Sequence, residues 1–271
     1  MSWRLVGKKE IGDAIRNYQL YANALIFVAV FGGFGYLFVR DVRRSARVDP
    51  SMAPDPIEFV GLLSFFCIIM IPAVGLMVSY DAIVKRRTGG QLALLLGMPH
   101  DRRDVVVGTL LGRFAVFAAA LLAGLGAALL VLLVFGVSPP FGALIGFAVA
   151  TAGLGLAYVA IGIGLSGWIR SPTWAAIAAF GVFMLFVFVW RAVPDGVVYL
   201  ASGFEIPSET PWWRPYVTTL SPSVAYERVL DAYVFDDAQE GYPTAFGAVV
   251  LLGWTVLAPL VGYLRFDRTD L

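Results

Sequence analysis

The placement of charged residues constrains this chain more than any other feature of its sequence. Five stretches contain no Asp, Glu, Lys or Arg, and they cover residues 17–39, 59–80, 114–169, 171–190 and 241–264. A helix rises about 1.5 Å per residue, so about 20 residues cross a hydrocarbon core about 30 Å thick. Each stretch can therefore span a membrane as a helix. The apolar runs are continuous rather than alternating, which argues against a transmembrane barrel.

The stretch 114–169 is too long for one span. Residues 136–142 interrupt it with two glycines and two prolines, which end one helix and begin another. We therefore predict an all-α polytopic protein, in which residues 1–271 form a single six-span domain. The predicted spans are 19–39, 58–80, 108–135, 142–168, 172–191 and 243–264.

Composition excludes several classes of protein. Hydrophobic residues make up 59% and charged residues 14% of the chain, against about 45–50% and about 25% in soluble domains. A lone cysteine, Cys67, and a lone histidine, His100, leave no disulfide framework and no histidine pair. The net charge of +1 argues against nucleic acid as a partner.

Basic residues predict the orientation. With the N-terminus inside, thirteen of the twenty Lys and Arg residues fall in inner segments, as the positive-inside rule requires. Four arginines just after the first span (Arg40, Arg43, Arg44 and Arg47) run against this assignment. We expect a multi-pass protein of the plasma membrane, with the lipid bilayer around it and both termini cytoplasmic. Charges such as Lys8 and Lys9 argue against a cleaved signal peptide.

Residues 1–18 have the pattern of an amphipathic helix. Apolar side chains recur at roughly helical spacing among basic ones: Trp3, Val6, Ile11, Ala14, Ile15 and Tyr18. We predict an interfacial helix on the inner leaflet, the alternative being an ordinary basic N-terminus. The pairs Gly108/Gly112 and Gly142/Gly146 place small residues one turn apart, which predicts close helix packing, moving or static.

A search for catalytic chemistry finds none. The sequence has no Walker A motif, no metalloprotease motif and no nucleophile elbow. We predict no catalytic, cofactor-binding or metal-binding residue. Cys67, Met70 and Met77 could offer soft ligands to Cu(I), but such side chains are more often apolar filler. The charge-free spans argue against ion-coupled transport, so the energy for any transport should come from elsewhere.

The predicted inner loop, residues 80–107, is the most informative segment. Basic residues 85–87 leave the membrane, a Gly-Gly turn follows, and a short apolar helix over 91–98 ends at Pro99. A charged turn then leads into the third span. Such a helix suits docking into a groove of another protein, although resting on lipid headgroups is an alternative.

This loop resembles the inner loop of ABC-2 type permeases, the membrane subunits of one class of ATP-binding-cassette transporter. The matching order is Arg86 or Arg87, Gly90, Leu94–Leu96, Pro99, Arg102 or Arg103, and Gly108. Two positions depart from the usual pattern, because Lys85 replaces an acidic residue and Thr109 replaces a lysine. The wider layout, with an N-terminal helix, six spans and a long outer segment, is also similar.

The resemblance implies a mechanism with several subunits. Two six-span chains, identical or homologous, would face each other above two separate ATPase subunits, and ATP and Mg²⁺ would bind there rather than here. The loop would couple the two parts. The implied ATPase-coupling residues are Arg86, Arg87, Leu94, Leu95, Leu96, Pro99, His100, Asp101, Arg102 and Arg103.

The outer segment, residues 191–242, is predicted to form a gate. Its candidate residues are Trp212, Trp213, Tyr216 and Pro222, with Ser221 as the N-cap of a helix that begins at Pro222. This segment could be re-entrant or a simple outer cap. The overall prediction is a permease subunit for an unidentified substrate, and the charge-free spans favour an apolar or lipid-like one. The alternative is a membrane subunit of an ABC-type complex that matures a metalloenzyme.

Overall fold

The computed structural model describes residues 3–88, 102–205, 211–237 and 244–267, and within these ranges the chain contains helices and no strands. Six helices there are long and apolar enough to cross a membrane. They cover Gln19–Val48, Pro56–Arg87, Arg103–Val134, Phe141–Trp168, Pro172–Val189 and Ala245–Arg265. The predicted all-α class and the six spans are therefore confirmed.

We number the helices in chain order. They are α1 (Trp3–Arg16), α2 (Gln19–Val48), α3 (Pro56–Ser79), α4 (Val84–Thr88), α5 (Arg102–Val134), α6 (Phe141–Trp168), α7 (Pro172–Met184), α8 (Ala192–Ala201), α9 (Arg214–Thr219), α10 (Pro222–Tyr233) and α11 (Thr244–Asp267). A 3₁₀ turn, Pro50–Met52, follows α2, and a π-helical turn, Leu185–Val189, continues α7.

Two helices extend well beyond the predicted spans. Helix α2 ends at Val48 rather than near residue 39, and α5 begins at Arg102 rather than near residue 108. Charged residues mark the edge of the hydrocarbon core but do not end a helix, and arginine and alanine are good helix formers. By contrast, α3 begins sharply because Asp55 accepts a hydrogen bond from Ile57 N (2.9 Å) and Glu58 accepts one from Asp55 N (3.2 Å).

Packing organises five of the spans into a pair and a set of three, which meet in one core. Helix α2 lies along α5, and α6 lies between α3 and α11. The largest fully buried side chains in this core are aromatic: Phe27, Phe31, Phe59, Phe117, Phe147, Tyr158 and Tyr226. The α6–α11 crossing is tight, because a Cβ on Gly164 would lie 2.4 Å from the Ala258 carbonyl oxygen. Helix α7 is the least buried span.

Candidate functional site

Both flanks of the 80–107 loop contact the C-terminal end of α6. The Ser166 hydroxyl accepts hydrogen bonds from the backbone amides of Ile83 (2.9 Å) and Val84 (3.0 Å), which begin α4. Ile83 also packs in a small buried cluster with Val106, Val159 and Ile163. Residues near both ends of the 80–107 loop are therefore in direct contact with α6.

A buried group of charges lies beside this contact, and we call Glu10, Arg86 and Arg113 the basal cluster. Glu10 on α1 is only 3% exposed. Its carboxylate is in ion-pair contact with Arg86, which is in α4, and it accepts a hydrogen bond from Arg113 Nε on α5 at 2.8 Å. One acid thus holds two guanidinium groups from two other helices.

The Nη1 groups of the two arginines donate further hydrogen bonds within the chain. Arg113 Nη1 donates to the Val78 carbonyl oxygen (2.7 Å) and to Gln19 Oε1 (3.3 Å), and Arg86 Nη1 donates to Thr109 Oγ1 (3.1 Å). These bonds tie the start of α2 and the end of α3 to the same cluster. A polar cavity of about 520 Å³ borders it, lined by Glu10, Asp13, Ala14, Asn17, Gln19, Asp81, Ala82, Lys85, Arg86 and Arg113.

Glycines bring α1 close enough to place Glu10 in this position. A Cβ added to Gly108 would lie 2.5 Å from the Trp3 carbonyl oxygen. One added to Gly112 would lie 2.5 Å from Glu10 Cβ. The predicted close packing at this glycine pair is therefore present, and its partner is the N-terminal helix. Gly142 differs, because no atom lies within 4 Å of a Cβ built there.

The predicted coupling residues fall into two groups. Leu94, Leu95, Leu96, Pro99, His100 and Asp101 lie outside the described residues, as does the predicted helix over 91–98. Among the rest, Arg102 begins α5, Arg87 is half-buried, and exposed Arg103 donates to the Tyr263 hydroxyl at 3.2 Å. The Arg86 side chain is only 11% exposed and points into the chain towards Glu10.

Sequence analysis missed Glu10, Arg113 and Ser166 as parts of this site. Glu10 lies four residues from both Val6 and Ala14, so a helical projection places it on their apolar face. An acid on an apolar face signals a buried partner. No comparable pattern marks Arg113 or Ser166, because their partners come from distant parts of the chain.

The outer segment packs into the helices through hydrogen bonds from tryptophans. Trp190 Nε1 donates to the Val217 carbonyl oxygen (3.0 Å), and Trp254 Nε1 donates to that of Leu220 (2.8 Å). Trp254 lies near the middle of the predicted span 243–264, and this hydrogen bond gives it a packing role. Helix α10 begins at Pro222 after the N-cap Ser221, as predicted. The Ser221 hydroxyl, however, does not cap the helix but donates to the Phe186 carbonyl oxygen in the π-helical turn at 2.9 Å.

Polar side chains dock α10 against the middle of α6. The hydroxyls of Tyr158 and Ser223 are 2.7 Å apart, and those of Thr151 and Tyr226 are 3.1 Å apart. All four side chains are buried, so each pair satisfies groups that would otherwise be costly to bury. The first turns of α10 therefore lie among the spans, in contact with the α6 core.

The four predicted gate residues differ in exposure, and two of them are in contact, because the Trp212 and Tyr216 rings pack edge-to-face with centroids 6.4 Å apart. Trp212 is 81% exposed, whereas Pro222 is buried at the start of α10. Tyr216 lies between them in exposure and packs edge-to-face on Phe246 of α11, with ring centroids 5.4 Å apart. Trp213, half-buried, precedes α9.

Three carboxyl groups of the outer segment have shifted pKa values. Burial raises the pKa of Glu227, although its ion pair with Arg191 opposes the shift. Burial likewise raises the pKa of Asp231. The hydrogen bond from Arg214 lowers the pKa of Asp195, with 2.5 Å between Nε and Oδ1.

The sulfur side chains of α3 do not converge on one point. Cys67 is fully buried, whereas Met77 is 70% exposed, and ten helical residues separate them by about 15 Å. Within the part of the chain that the structure describes, no group of three or more His, Cys, Asp or Glu residues could hold a metal ion.

Comparison with known proteins identifies a matching family and two relatives. The family model described as ABC-2 family transporter protein matches residues 4–271. A protein of Stutzerimonas stutzeri named probable ABC transporter permease protein NosY is 30% identical over 278 aligned residues, which cover 97% of each chain. A protein of the same name from Pseudomonas aeruginosa is 28% identical over 240 residues, or 87% of this chain and 83% of that one.

Proposed function

This chain belongs to the ABC-2 transporter family, and from that premise we propose that it is the permease subunit that a separate ATPase drives. The chain would work as a pair of permease subunits, this one with a second copy or a homologue. ATP and Mg²⁺ would bind to the ATPase subunits. The loop over residues 80–107 would transmit their movement to the spans, with both termini on the ATPase side of the plasma membrane.

The basal cluster is the observation that carries this proposal. It joins the N-terminal helix, the start of α2, the end of α3, α4 and α5 through charge-assisted hydrogen bonds. Such bonds are short, directional and stronger than neutral ones. A push on the loop flanks would therefore move several spans together instead of bending one connection.

The proposed passenger is apolar or lipid-like. An apolar cavity of about 290 Å³ lies between α6, the end of α7 and α11, with Trp168, Phe186 and Trp254 in its lining. Its other lining residues are aliphatic or glycine, and the spans around it carry no charged residue over most of their length. A hydrophobic cavity open to a hydrophobic surface suits a molecule that partitions into the bilayer.

The test begins with partners. A tagged form of the chain, purified from native membranes, should retain an ATPase subunit, and the complex should hydrolyse ATP in proteoliposomes while moving a fluorescent phospholipid between leaflets. Leu95→Asp and Arg102→Glu should abolish lipid movement and leave the chain folded. Arg170→Glu is the matched control, because Arg170 is an exposed basic residue in another predicted inner turn.

A second candidate function, maturation of a partner enzyme, draws on the outer segment. Trp212 is 81% exposed and Tyr216 is 39% exposed there, and exposed aromatic side chains are frequent at protein interfaces. In that case the complex would hydrolyse ATP while acting on a protein, with no flux of lipid or solute. Trp212→Ala would then weaken partner binding without changing ATP hydrolysis.

The coupling role in the first proposal has its own contradicting result. It would be wrong if lipid movement were unaffected in a variant that carries both Leu95→Asp and Arg102→Glu.

A further inference from the structure

The end of α2 carries a group of arginines that the proposed function does not use. Arg40, Arg43, Arg44 and Arg47 follow directly after the charge-free stretch that ends at residue 39. At about 100° per residue, they fall within about 100° of the helix circumference, and Asp41 lies outside that arc. All four are exposed. We call this group, with its surrounding cavity, the arginine pocket.

One of the four arginines has a structural role. Arg43 Nη2 donates to the Phe135 carbonyl oxygen at 2.8 Å, just past the end of α5. Its guanidinium also stacks over the Phe135 ring, 4.8 Å from the ring centroid. A cation at this position satisfies a terminal carbonyl and opposes the negative end of the helix dipole.

The other three arginines form no ion pair inside the described chain. No carboxylate of a described residue is in ion-pair contact with Arg40, Arg44 or Arg47. Like charges on one helix face repel each other. An external anion would remove this repulsion, and the planar guanidinium suits phosphate because it donates two parallel hydrogen bonds.

The shape of the pocket indicates how that phosphate is carried. The cavity has a volume of about 380 Å³, and its lining adds Tyr36, Val39 and Phe135 to the arginines. The Tyr36 and Phe135 rings pack with their centroids 6.0 Å apart and form an aromatic floor. Exposed Leu37 lies about two turns before Arg44 on nearly the same face of α2, within the charge-free stretch, and continues an apolar surface from the arginines towards the middle of the span. A charged rim above an apolar surface matches a headgroup with acyl chains.

We propose that the arginine pocket binds the phosphate of an anionic phospholipid, in the leaflet at the end of the molecule opposite the 80–107 loop. A free phosphate ion offers the same charge but leaves the aromatic floor uncovered. The bound lipid would neutralise the arginines that contradict the positive-inside rule. This inference rests on the adjoining ends of α2 and α5 and holds whether or not the chain is driven by an ATPase.

Native mass spectrometry of the purified chain can test the proposal with defined probes. Phosphatidylglycerol should bind in a saturable manner and more tightly than phosphatidylcholine. Arg40→Gln/Arg44→Gln/Arg47→Gln should weaken phosphatidylglycerol binding about a hundredfold, since each arginine near an anionic surface contributes about fivefold. Arg43 stays unchanged because it has a packing role.

Two further variants make the result specific. Lys8→Gln/Lys9→Gln/Arg16→Gln removes the same charge from exposed positions on α1 and should leave this affinity unchanged. Arg40→Lys/Arg44→Lys/Arg47→Lys keeps the charge, loses the paired donors and should give an intermediate affinity. Circular dichroism of each variant checks that its helices are intact.

Four results would overturn the proposal. The first is equal binding of the two lipids, and the second is an unchanged affinity in the glutamine variant. The third is displacement of phosphatidylglycerol by millimolar inorganic phosphate, which would identify a soluble phosphate ligand instead. The fourth is binding of an acidic soluble protein at these arginines with no preference for anionic lipid.

Discussion

Glu10 shows how much a single side chain contributes to the packing of α1 against α4 and α5. A buried ion is expensive unless partners and hydrogen bonds compensate it, and breaking such a pair costs more than never having formed it. Glu10 has two guanidinium partners, and these arginines have further acceptors in Gln19, Val78 and Thr109. The cluster therefore depends on its one acid to balance two cations.

Replacing Glu10 with Gln should destabilise the folded chain by about 3 kcal/mol, because two buried arginines then lose the carboxylate with which they are in ion-pair contact. Unfolding in a denaturing detergent titration, followed by circular dichroism, would measure this. Asp13→Asn is the control, since Asp13 lines the same cavity but is not in ion-pair contact with any described residue. Equal effects of the two substitutions would show that the ion pairs contribute nothing particular.

The raised pKa of Glu227 in α10 predicts that the stability of the chain depends on pH. Burial raises its pKa in the folded chain, and the charged groups around it are Arg191, Arg228 and Asp231. A raised pKa means that the folded state binds the proton more tightly, so the associated stability is present below the unfolded value of about 4.3 and is lost as the pH rises through the folded value. Wild-type stability relative to Glu227→Gln should therefore fall from pH 4 towards neutrality.

Unfolding midpoints measured across this range, for wild type and variant in the same detergent, would show the trend. Asp41→Asn removes one carboxylate from an exposed position on α2 and serves as the comparison. If the Asp41 variant gave the same slope as the Glu227 variant, the pH dependence would not come from the buried carboxyl.

At the scale of elements, the contact between α1 and α5 separates what the sequence could predict from what it could not. The Gly108/Gly112 spacing predicted close packing, because small residues one turn apart admit a neighbouring backbone. At the Gly142/Gly146 pair, a Cβ on Gly146 would lie 2.9 Å from Val234 Cγ2, whereas one on Gly142 would have no atom within 4 Å. Two glycines one turn apart indicate that another helix can pack closely against them, but the rest of the fold determines which helix does so.

Gly112→Ala should destabilise the chain, because the new methyl group would lie 2.5 Å from Glu10 Cβ and 2.9 Å from the Gly7 carbonyl oxygen. Gly126→Ala on the same helix has no atom within 4 Å of the added carbon. It should be neutral or stabilising by up to about 1 kcal/mol, since alanine favours the helix over glycine. Detergent unfolding midpoints of the pair would test this, and a stable Gly112 variant would mean that α1 can move away freely.

At the scale of the whole molecule, the six spans followed from the sequence because the bilayer imposes a simple rule. A charge-free run of about 20 residues has few places to lie other than the hydrocarbon core. The basal cluster could not be predicted from the sequence in this way, because Glu10 contacts Arg86 and Arg113 only after α1, α4 and α5 have packed together. Ser221 is a second example. Its position at the start of α10 was predictable from the sequence, but the hydrogen bond from its hydroxyl to the Phe186 carbonyl oxygen was not.

Orientation is the property of the whole molecule on which the coupling proposal depends. If the N-terminus is inside, Ala46 at the end of α2 faces out and Arg170 between α6 and α7 faces in, and both are exposed positions. Cys67, the lone cysteine, is fully buried and gives little background labelling. In intact cells, a membrane-impermeant maleimide should label Ala46→Cys and should reach Arg170→Cys only after permeabilisation. The opposite labelling pattern would place the 80–107 loop outside the cell, where no cytoplasmic ATPase could contact it. The basal cluster would then have no role in coupling to an ATPase.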